Sequence, residues 1–384
     1  MRVLLLTGEH PEVPGRTGGI GSIVADAASA LSKSGHEVHV LVSAPGLATR
    51  DTTVEGTHLH VRGLAPPFRL ARGRAPRLLA QALSIRWHAG RLGRFDVVEG
   101  PEWQGLCAGF AVGRTPLVVS LQTPAAVIAA HDDRLPPPTP AVDRLERALV
   151  RRADRVLSAS ALLVRELRST GWLPPDLPVQ VAAPAVDLAR WASAPPPSAA
   201  RPVVLGIGRL EPRKGFASLI DAVATLEGPA ERRVELLGGD TSDAAGRRYS
   251  DVLRRRADRR HVELHLHHEV PRSDLPAHLA AARVVVLPST FDSFNMAGLE
   301  ALATGRGVVV TDRVGLAELD DGSGALSVVP SGDLDALARA ISYGLDPIVA
   351  DQAGAAARAL AGRFGGPAFA DQRTSCYREL VARR

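Results

Sequence analysis

Along the chain, short apolar runs of strand length alternate with segments whose apolar residues recur at helical spacing. Val3 to Thr7 is a continuous run of the buried-strand type, followed by a loop carrying Pro11, Pro14, Gly15, Gly18 and Gly19. Ile20, Ile23, Val24, Ala27, Ala30 and Leu31 then recur at the period of an amphipathic helix, which Gly35 stops, and His36 to Val42 is the next run. Strand, glycine loop, helix and strand in that order make a βαβ unit, whose right-handed crossover sets its two strands parallel. Further strands are predicted at His58 to Arg62, Val97 to Glu99, Leu117 to Leu121, Val156 to Ser158 and Val179 to Ala182. The first half is therefore expected to be a doubly wound α/β sheet.

The period is lost at Ala192 to Pro202, ASAPPPSAARP, which is rich in proline and small residues and reads as a linker. It restarts at once with a strand at Val203 to Gly206, a glycine-bearing loop, a helix from about Phe216 to Leu226 and a strand at Val234 to Leu237. Strands at Val284 to Leu287 and Val308 to Val310 flank a further helix. The expected architecture is α/β, with two tandem Rossmann-like domains, 1–191 and 203–366, facing across a cleft. Ligands of such sheets bind outside the carboxyl ends of the strands.

Composition narrows the class. With 384 residues, 45% of them apolar and 23% charged, the chain can bury two cores, so a disordered or fibrous protein is excluded. No run of 18 uncharged apolar residues occurs, and the apolar opening is too short for a signal peptide, so a soluble cytoplasmic protein is expected. Cys107 and Cys376 stand alone, without zinc-type spacing to histidine. The net charge of +5 arises in the first 200 residues, where Arg62, Arg69, Arg72, Arg74, Arg77, Arg86, Arg91 and Arg94 run without an intervening acid. That stretch reads as a solvated helix edge, or as a basic face offering weak contact to phosphates or an anionic membrane surface. Nucleic acid is not expected, because no helix-turn-helix, zinc-finger or RNA-recognition signature accompanies it. Among 46 basic residues only Lys33 and Lys214 are lysines, so a lysine retained in a loop is worth attention.

Glycine loops follow strands twice, which raises the question of a nucleotide. The dinucleotide pattern G-x-G-x-x-G is incomplete in both: Gly19 and Gly21 are followed by Val24, Gly206 and Gly208 by Glu211. A nicotinamide-dependent oxidoreductase is accordingly a remote alternative. The second loop, GIGRLEPRKGF, puts Arg209 and Lys214 just past a strand end, a fork and a point charge able to hold a diphosphate. In PSTFDSFNMAGLEALATG, a strand ends at Pro288, a loop carries Asp292, Ser293, Phe294 and Asn295, and a helix runs from about Met296 to its stop at Gly305. Glu300, one turn into that helix, could accept hydrogen bonds from a ribose diol, and the helix start suits phosphate or sugar oxygens. The plain structural alternative is capping by Asp292 and a solvated Glu300.

GGIG after the first strand, GRLEPRKG after the linker, and an acid separated by seven residues from the LEALATG glutamate together resemble the retaining enzymes of glycosyltransferase family 4, with the GT-B fold. SLQTP at Ser120, RRADRVLSAS at Arg151, APAVD at Ala183 and EVPRSDLPAHLAAARVVVLPS at Glu269 fall in the matching order. The resemblance implies a donor domain at 203–366 and an acceptor-side domain at 1–191. It also implies a last helix, 367–384, that crosses back to the latter. It implies that Arg209 and Lys214, with Gly208 in the same loop, meet the pyrophosphate of a nucleotide-sugar donor, and that Glu300 holds the ribose. Asp292, Ser293 and the backbone of Phe294, Asn295, Met296 and Ala297 would hold the transferred sugar, Gly18 and Gly19 the phosphate side, and Glu269 and Val270 the base. No metal and no other cofactor is expected.

Two positions depart from the family pattern. Asp292 replaces the usual glutamate and is one methylene shorter, and Gln122 stands where many members have a histidine, so it can hydrogen-bond but not titrate. Trp103, in GPEWQG, follows a strand end and reads as an acceptor platform or as packing; with Gln122 it is the candidate acceptor contact. The acceptor is expected to be a small molecule of secondary metabolism; the alternative is a lipid-linked or polysaccharide acceptor at a membrane surface, and a nucleotide-sugar binding protein without efficient transfer is a further one. His261, His265, His267 and His268 alternate with leucines and read as a strand with one exposed face, and Asp333 with Asp335 as a helix cap.

Overall fold

The computed structural model describes residues 1–384 apart from 17, 70–72, 133–136, 193, 229–231, 244, 269 and 384. Met1–Ala130, Pro137–Ala185 and Phe364–Arg384 form one compact unit, and His131–Pro136 with Val186–Arg363 form a second. The chain changes unit after Ala185, ahead of the stretch 192–202. That proline-rich stretch belongs to the second unit, where Pro197 is buried and the Ser198 amide donates to Asp351 Oδ1 at 2.9 Å.

The first unit is built on eight strands: β1 (Arg2–Thr7), β2 (Glu37–Ser43), β3 (Arg50–Val54), β4 (Thr57–Arg62), β5 (Val97–Pro101), β6 (Leu117–Leu121), β7 (Arg155–Ser158) and β8 (Gln180–Val181). Their order is β3-β4-β2-β1-β5-β6-β7-β8, parallel throughout except for β3, which runs antiparallel to β4. The helices are α1 (Gly19–Lys33), α2 (Arg74–Leu92), α3 (Ala125–Ala130), α4 (Pro140–Arg152) and α5 (Ala161–Ser169). The second unit carries α6 (Leu188–Trp191), β9 (Val204–Ile207), α7 (Phe216–Ala224), β10 (Arg233–Leu237), α8 (Tyr249–Arg260), β11 (Glu263–His267) and α9 (Leu275–Ala281). It continues through β12 (Val284–Leu287), α10 (Met296–Ala303), β13 (Val308–Thr311), β14 (Leu326–Val329), α11 (Leu334–Leu345) and α12 (Pro347–Gly362). Its six strands, all parallel, lie in the order β11-β10-β9-β12-β13-β14. The last helix, α13 (Gly366–Ala382), returns to the first unit.

The apolar patterning explains these elements. β12 and β13 read VVVL and VVVT and are buried along their whole length, as parallel strands covered on both faces must be. α13 joins the first core: Phe369, Ala370, Tyr377 and Leu380 pack in one cluster with Ala27, Ala30 and Leu31 of α1. Each sheet has a switch point where the strand order reverses, β1/β5 in the first and β9/β12 in the second, and the crevice at the strand carboxyl ends there is where open α/β sheets take ligands.

Candidate active site

The loops leaving β9 and β12 meet at the second switch point. Gly208 has φ +150°, and a Cβ there would stand 3.3 Å from Lys214 Cδ and Cε, so the lysine stem lies across the strand end. Pro212–Lys214 form a 3-10 turn, and Gly215 closes it at φ +71°, where a Cβ would fall 1.9 Å from the Pro288 carbonyl oxygen. Glycine is required at 215 both by the left-handed backbone and by this approach. The turn is thereby pressed against the end of β12, and Lys214 Nζ donates to Asp292 Oδ2 at 2.5 Å. Both side chains are close to nine-tenths buried.

Asp292 also accepts from Asn295 Nδ2 at 3.0 Å. Burial pushes its carboxyl up, but the Lys214 charge, then Arg213, and the hydrogen bonds from Lys214 and Asn295 hold it below the ordinary carboxylate range. Asn295, at φ +80°, caps α10 by accepting from the Gly298 amide at 3.1 Å. The capping role expected of an acid at 292 thus belongs to Asn295, because Asp292 is turned inward onto Lys214. Arg213 is buried, donating to Glu211 Oε1 at 2.5 Å and to the Phe291 carbonyl at 2.7 Å. Arg209 is 56% exposed, with Glu211 Oε2 3.3 Å away, so it is the exposed cation of the loop. Glu300 is buried and accepts from Arg272 Nη2 at 3.1 Å. Phe294 and Met296 point into the core, while Ser293, Ala297 and Val270 are half-buried. Glu269 lies outside the described residues.

The structure therefore brings Gly208, Lys214, Asp292 and Asn295 together and leaves Arg209 on the same loop, where its partner Glu211 also holds Arg213. It adds Glu211, Arg213 and Arg272, which sequence reasoning missed. RLEPRKG does carry a signal for two of these: an acid among three cations within one short loop must pair with one of them. Arg272 had no such signal, since its partner Glu300 lies 28 residues on.

In the first unit, Gly18 caps α1 with extended backbone, and the Glu9 carboxylate lies over it, Oε2 standing 2.2 Å from where a Cβ would be; at Gly19 the same position is open. Gln122 follows β6 and its backbone N–H donates to Glu102 Oε2 at 2.9 Å. Half-buried Trp103 sits in a 3-10 turn, Trp103–Gly105, whose Gln104 amide donates to Glu146 Oε1 at 2.8 Å. Glu146 Oε2 also accepts from the Ala125 amide at 3.3 Å. Burial, and then the neighbouring Glu146 charge, pushes Glu102 up to about 8; burial likewise raises Glu146 to about 7. Two protonatable acids thus pin the loops after β5 and β6, and in the sequence neither differs from a surface glutamate. A cavity is lined by Gln122, by apolar α1 residues and by Glu99, Ser120, Phe369 and Arg373. Glu99 accepts from Ser120 Oγ and from Tyr377 Oη, both at 2.5 Å, and pairs with Arg373 at 3.3 Å.

The arginine-rich stretch is less free than its sequence suggests. Arg62 donates to Asp51 at 2.7 Å, Arg86 lies over the Phe110 ring and Arg91 over that of Trp87. Arg72 lies outside the described residues. Asp333 caps α11, accepting from the Ala336 amide at 2.8 Å.

Two α/β sheets, parallel but for β3, with a charged crevice at the switch point of the second, are the architecture of the GT-B fold. Residues 17–190 match Glycosyltransferase Family 4 and residues 201–346 match Glycosyl transferases group 1. The chain belongs to glycosyltransferase family 4. It is 31% identical to a D-inositol 3-phosphate glycosyltransferase of Kineococcus radiotolerans, over 96% of this chain and 92% of that protein. It is 30% identical to a glycogen synthase of Mycobacterium tuberculosis, over 94% and 89%. Among solved structures, sucrose-phosphate synthase from Thermosynechococcus elongatus aligns over the whole of both chains with a TM-score of 0.81 at 20% identity. Anabaena HepE in complex with UDP and glucose aligns over 98% of this chain and 99% of that chain, with a TM-score of 0.74 at 21% identity. Membership of this family removes the oxidoreductase alternative. Among the described residues no helix is long and apolar enough to cross a membrane.

Proposed function

We propose that the protein transfers a sugar from a UDP- or GDP-linked donor to a small-molecule acceptor, with retention of configuration and without a metal ion in the reaction. The carrying observation is the Lys214–Asp292 pair at the β9/β12 crevice, with exposed Arg209 on the same loop. Lys214 and Arg209 neutralise the departing diphosphate as its charge develops. A diphosphate competes for Lys214, and Asp292, so released, accepts hydrogen bonds from the sugar hydroxyls. Glu300, oriented by Arg272, accepts from the ribose diol. The bond from the anomeric carbon to the phosphate oxygen breaks, the acceptor oxygen bonds to the same face, and its proton passes to the released phosphate oxygen. This balances without a protein nucleophile. A relative named for transfer to inositol phosphate supports the small-molecule acceptor, and a structural neighbour solved with UDP and glucose supports the donor.

The test is thermal stability with UDP, GDP, ADP, dTDP and NAD in turn, each with and without EDTA. A ligand at 100 times its dissociation constant adds about 2.7 kcal/mol. The expected result is a shift with UDP or GDP that EDTA leaves unchanged; a shift abolished by EDTA, or none with any diphosphate, overturns the proposal. One observation favours the membrane-surface acceptor as a second reading. On α2, Leu79 is 52% and Leu83 40% exposed, one turn apart, with exposed Arg86 on the same side. Salt-sensitive sedimentation with anionic but not neutral vesicles, lost in a Leu79→Ser/Leu83→Ser variant, would favour it over the small-molecule acceptor.

A further inference from the structure

The histidines clustered in the sequence do not converge in space. His261 ends α8 with left-handed backbone, His265 leans on Glu263 at 2.7 Å, and His268 is exposed. A different trio does converge. His267, at the carboxyl end of β11, meets Glu235 of the adjacent strand β10 and His278 of α9, and one ligand-type atom from each lies within 4.8 Å of the other two. His267 Nε2 is buried yet makes no hydrogen bond among the described residues, and Glu235 Oε2 stands 3.4 Å from it. The rings of His267 and His278 are 4.9 Å apart between centroids and inclined at 60°.

We propose that Glu235, His267 and His278 form a binding site for a divalent transition-metal ion, zinc by the chemistry of the set. Two imidazoles and one carboxylate suit zinc, which takes nitrogen and oxygen ligands at about 2.0–2.2 Å in a tetrahedron. Ligand atoms on a tetrahedron of that size stand about 3.4 Å apart, which is the His267 to Glu235 separation, and two imidazoles converging on one ion have centroids about 5 Å apart. The ion draws in His278 to complete the set and leaves the fourth position to water.

Arg233 supports the site from behind. Its Nη2 donates to Glu235 Oε1 at 3.1 Å, which leaves Oε2 turned toward His267. Such outer hydrogen bonds are what orient ligating carboxylates. Among the described residues one other trio of this kind, Glu37, His39 and His58, lacks the unpartnered atom. Glu37 Oε1 accepts from Arg2 Nε at 2.8 Å and lies 2.9 Å from His39 Nε2, and His39 Nδ1 reaches His60 at 3.0 Å.

The ion's place in the fold gives it a consequence. His267 and His278 bracket residues 268–274, the segment that carries Val270 and Arg272, and Arg272 reaches Glu300. A metal shared by β10, β11 and α9 clips both ends of that segment without entering the transfer chemistry. The inference stands whether or not the donor reading does, because its readout is metal binding.

The full chain, stripped with a chelator and dialysed, is titrated with Zn²⁺ by calorimetry and with Co²⁺ by visible absorption. The expected result is one ion per chain at low micromolar affinity or tighter, with the intense bands of tetrahedral cobalt. His267→Ala, His278→Ala and Glu235→Gln should each weaken binding by at least about tenfold, while His261→Asn leaves it unchanged. Hydrogen exchange across 268–274 should slow with zinc in the parent and not in the variants. No binding, millimolar affinity, or equal affinity in the parent and both histidine variants overturns the proposal. Should His267→Ala fail to fold, His278→Ala on α9 decides alone.

Discussion

Replacing Lys214 by methionine keeps most of the side-chain volume and removes the charge opposite Asp292. Unit charges about 4 Å apart at an effective dielectric constant of 20 attract by about 4 kcal/mol. Removing one partner of a buried pair costs about 3–5 kcal/mol, mostly because the remaining charge is stranded. Arg213 and Asn295 still face Asp292, so Lys214→Met should cost about 3 kcal/mol, at the low end of that range. Asp292→Asn keeps an oxygen acceptor for Lys214 and should cost about 2 kcal/mol, as for a weakened charged hydrogen bond. The double variant strands no charge and should cost about as much as the worse single, which leaves a coupling of about 2 kcal/mol. With two compact units in the chain, a single unfolding midpoint is a poor measure, so the assay is native-state hydrogen exchange read on peptides from β9 and β12. Additive single effects, with coupling below about 0.5 kcal/mol, would refute the pairing. The low carboxyl of Asp292 also fixes a sign. The pair's contribution is complete above the ordinary carboxylate range and is lost only as pH falls through the depressed value.

Other substitutions probe the rest. Glu102 and Glu146 are raised to about 8 and about 7, so they bind protons in the folded chain that the unfolded chain has released; their contribution is complete below the ordinary carboxylate value and fades as pH rises toward 8. The thermal midpoint of the first unit should fall over that range, and Glu102→Gln, which keeps an acceptor for the Gln122 amide, should flatten the fall; an unchanged slope would contradict the buried-acid assignment. Tyr377→Phe removes a donor to buried Glu99 and should cost about 1.5–3 kcal/mol, the range for hydrogen bonds to charged groups. Exchange in α13 should rise with it, and unaltered exchange would mean that the Tyr377 hydrogen bond does not hold the helix in place. Gly215→Ala adds left-handed strain of about 1–2 kcal/mol and drives a methyl into the Pro288 carbonyl. It should therefore lower the stability of the second unit more than Gly239→Ala, where the space is open; equal effects would sink the argument.

Much of the fold was legible because its signals are local. β12 and β13 announce themselves as valine runs, α1 by the spacing from Ile20 to Leu31, and the ends of helices by Gly35 and Gly305. What escaped was weakly patterned. β3 reads RDTTV and is almost wholly exposed, so no buried face marks it, and β14 is a four-residue LSVV run ahead of a turn. The change of unit after Ala185 was invisible because prolines at 195–197 look like a linker yet pack on the second unit, with Pro197 buried.

By itself the sequence determined the residue types and their loops: a lysine and arginines after β9, acids around the start of α10, and a glutamine after β6. It could do so because backbone period and turn chemistry act over a few residues. Tertiary structure decided which charge meets which. Lys214 and Asp292 are 78 residues apart and meet because β9 and β12 are neighbours at the switch point. Glu235 meets His267 because β10 lies against β11, and Glu99 is held by Tyr377 because the last helix folds back on the first unit. Partner choice among charges depends on strand order and burial, and both are properties of the packed sheet.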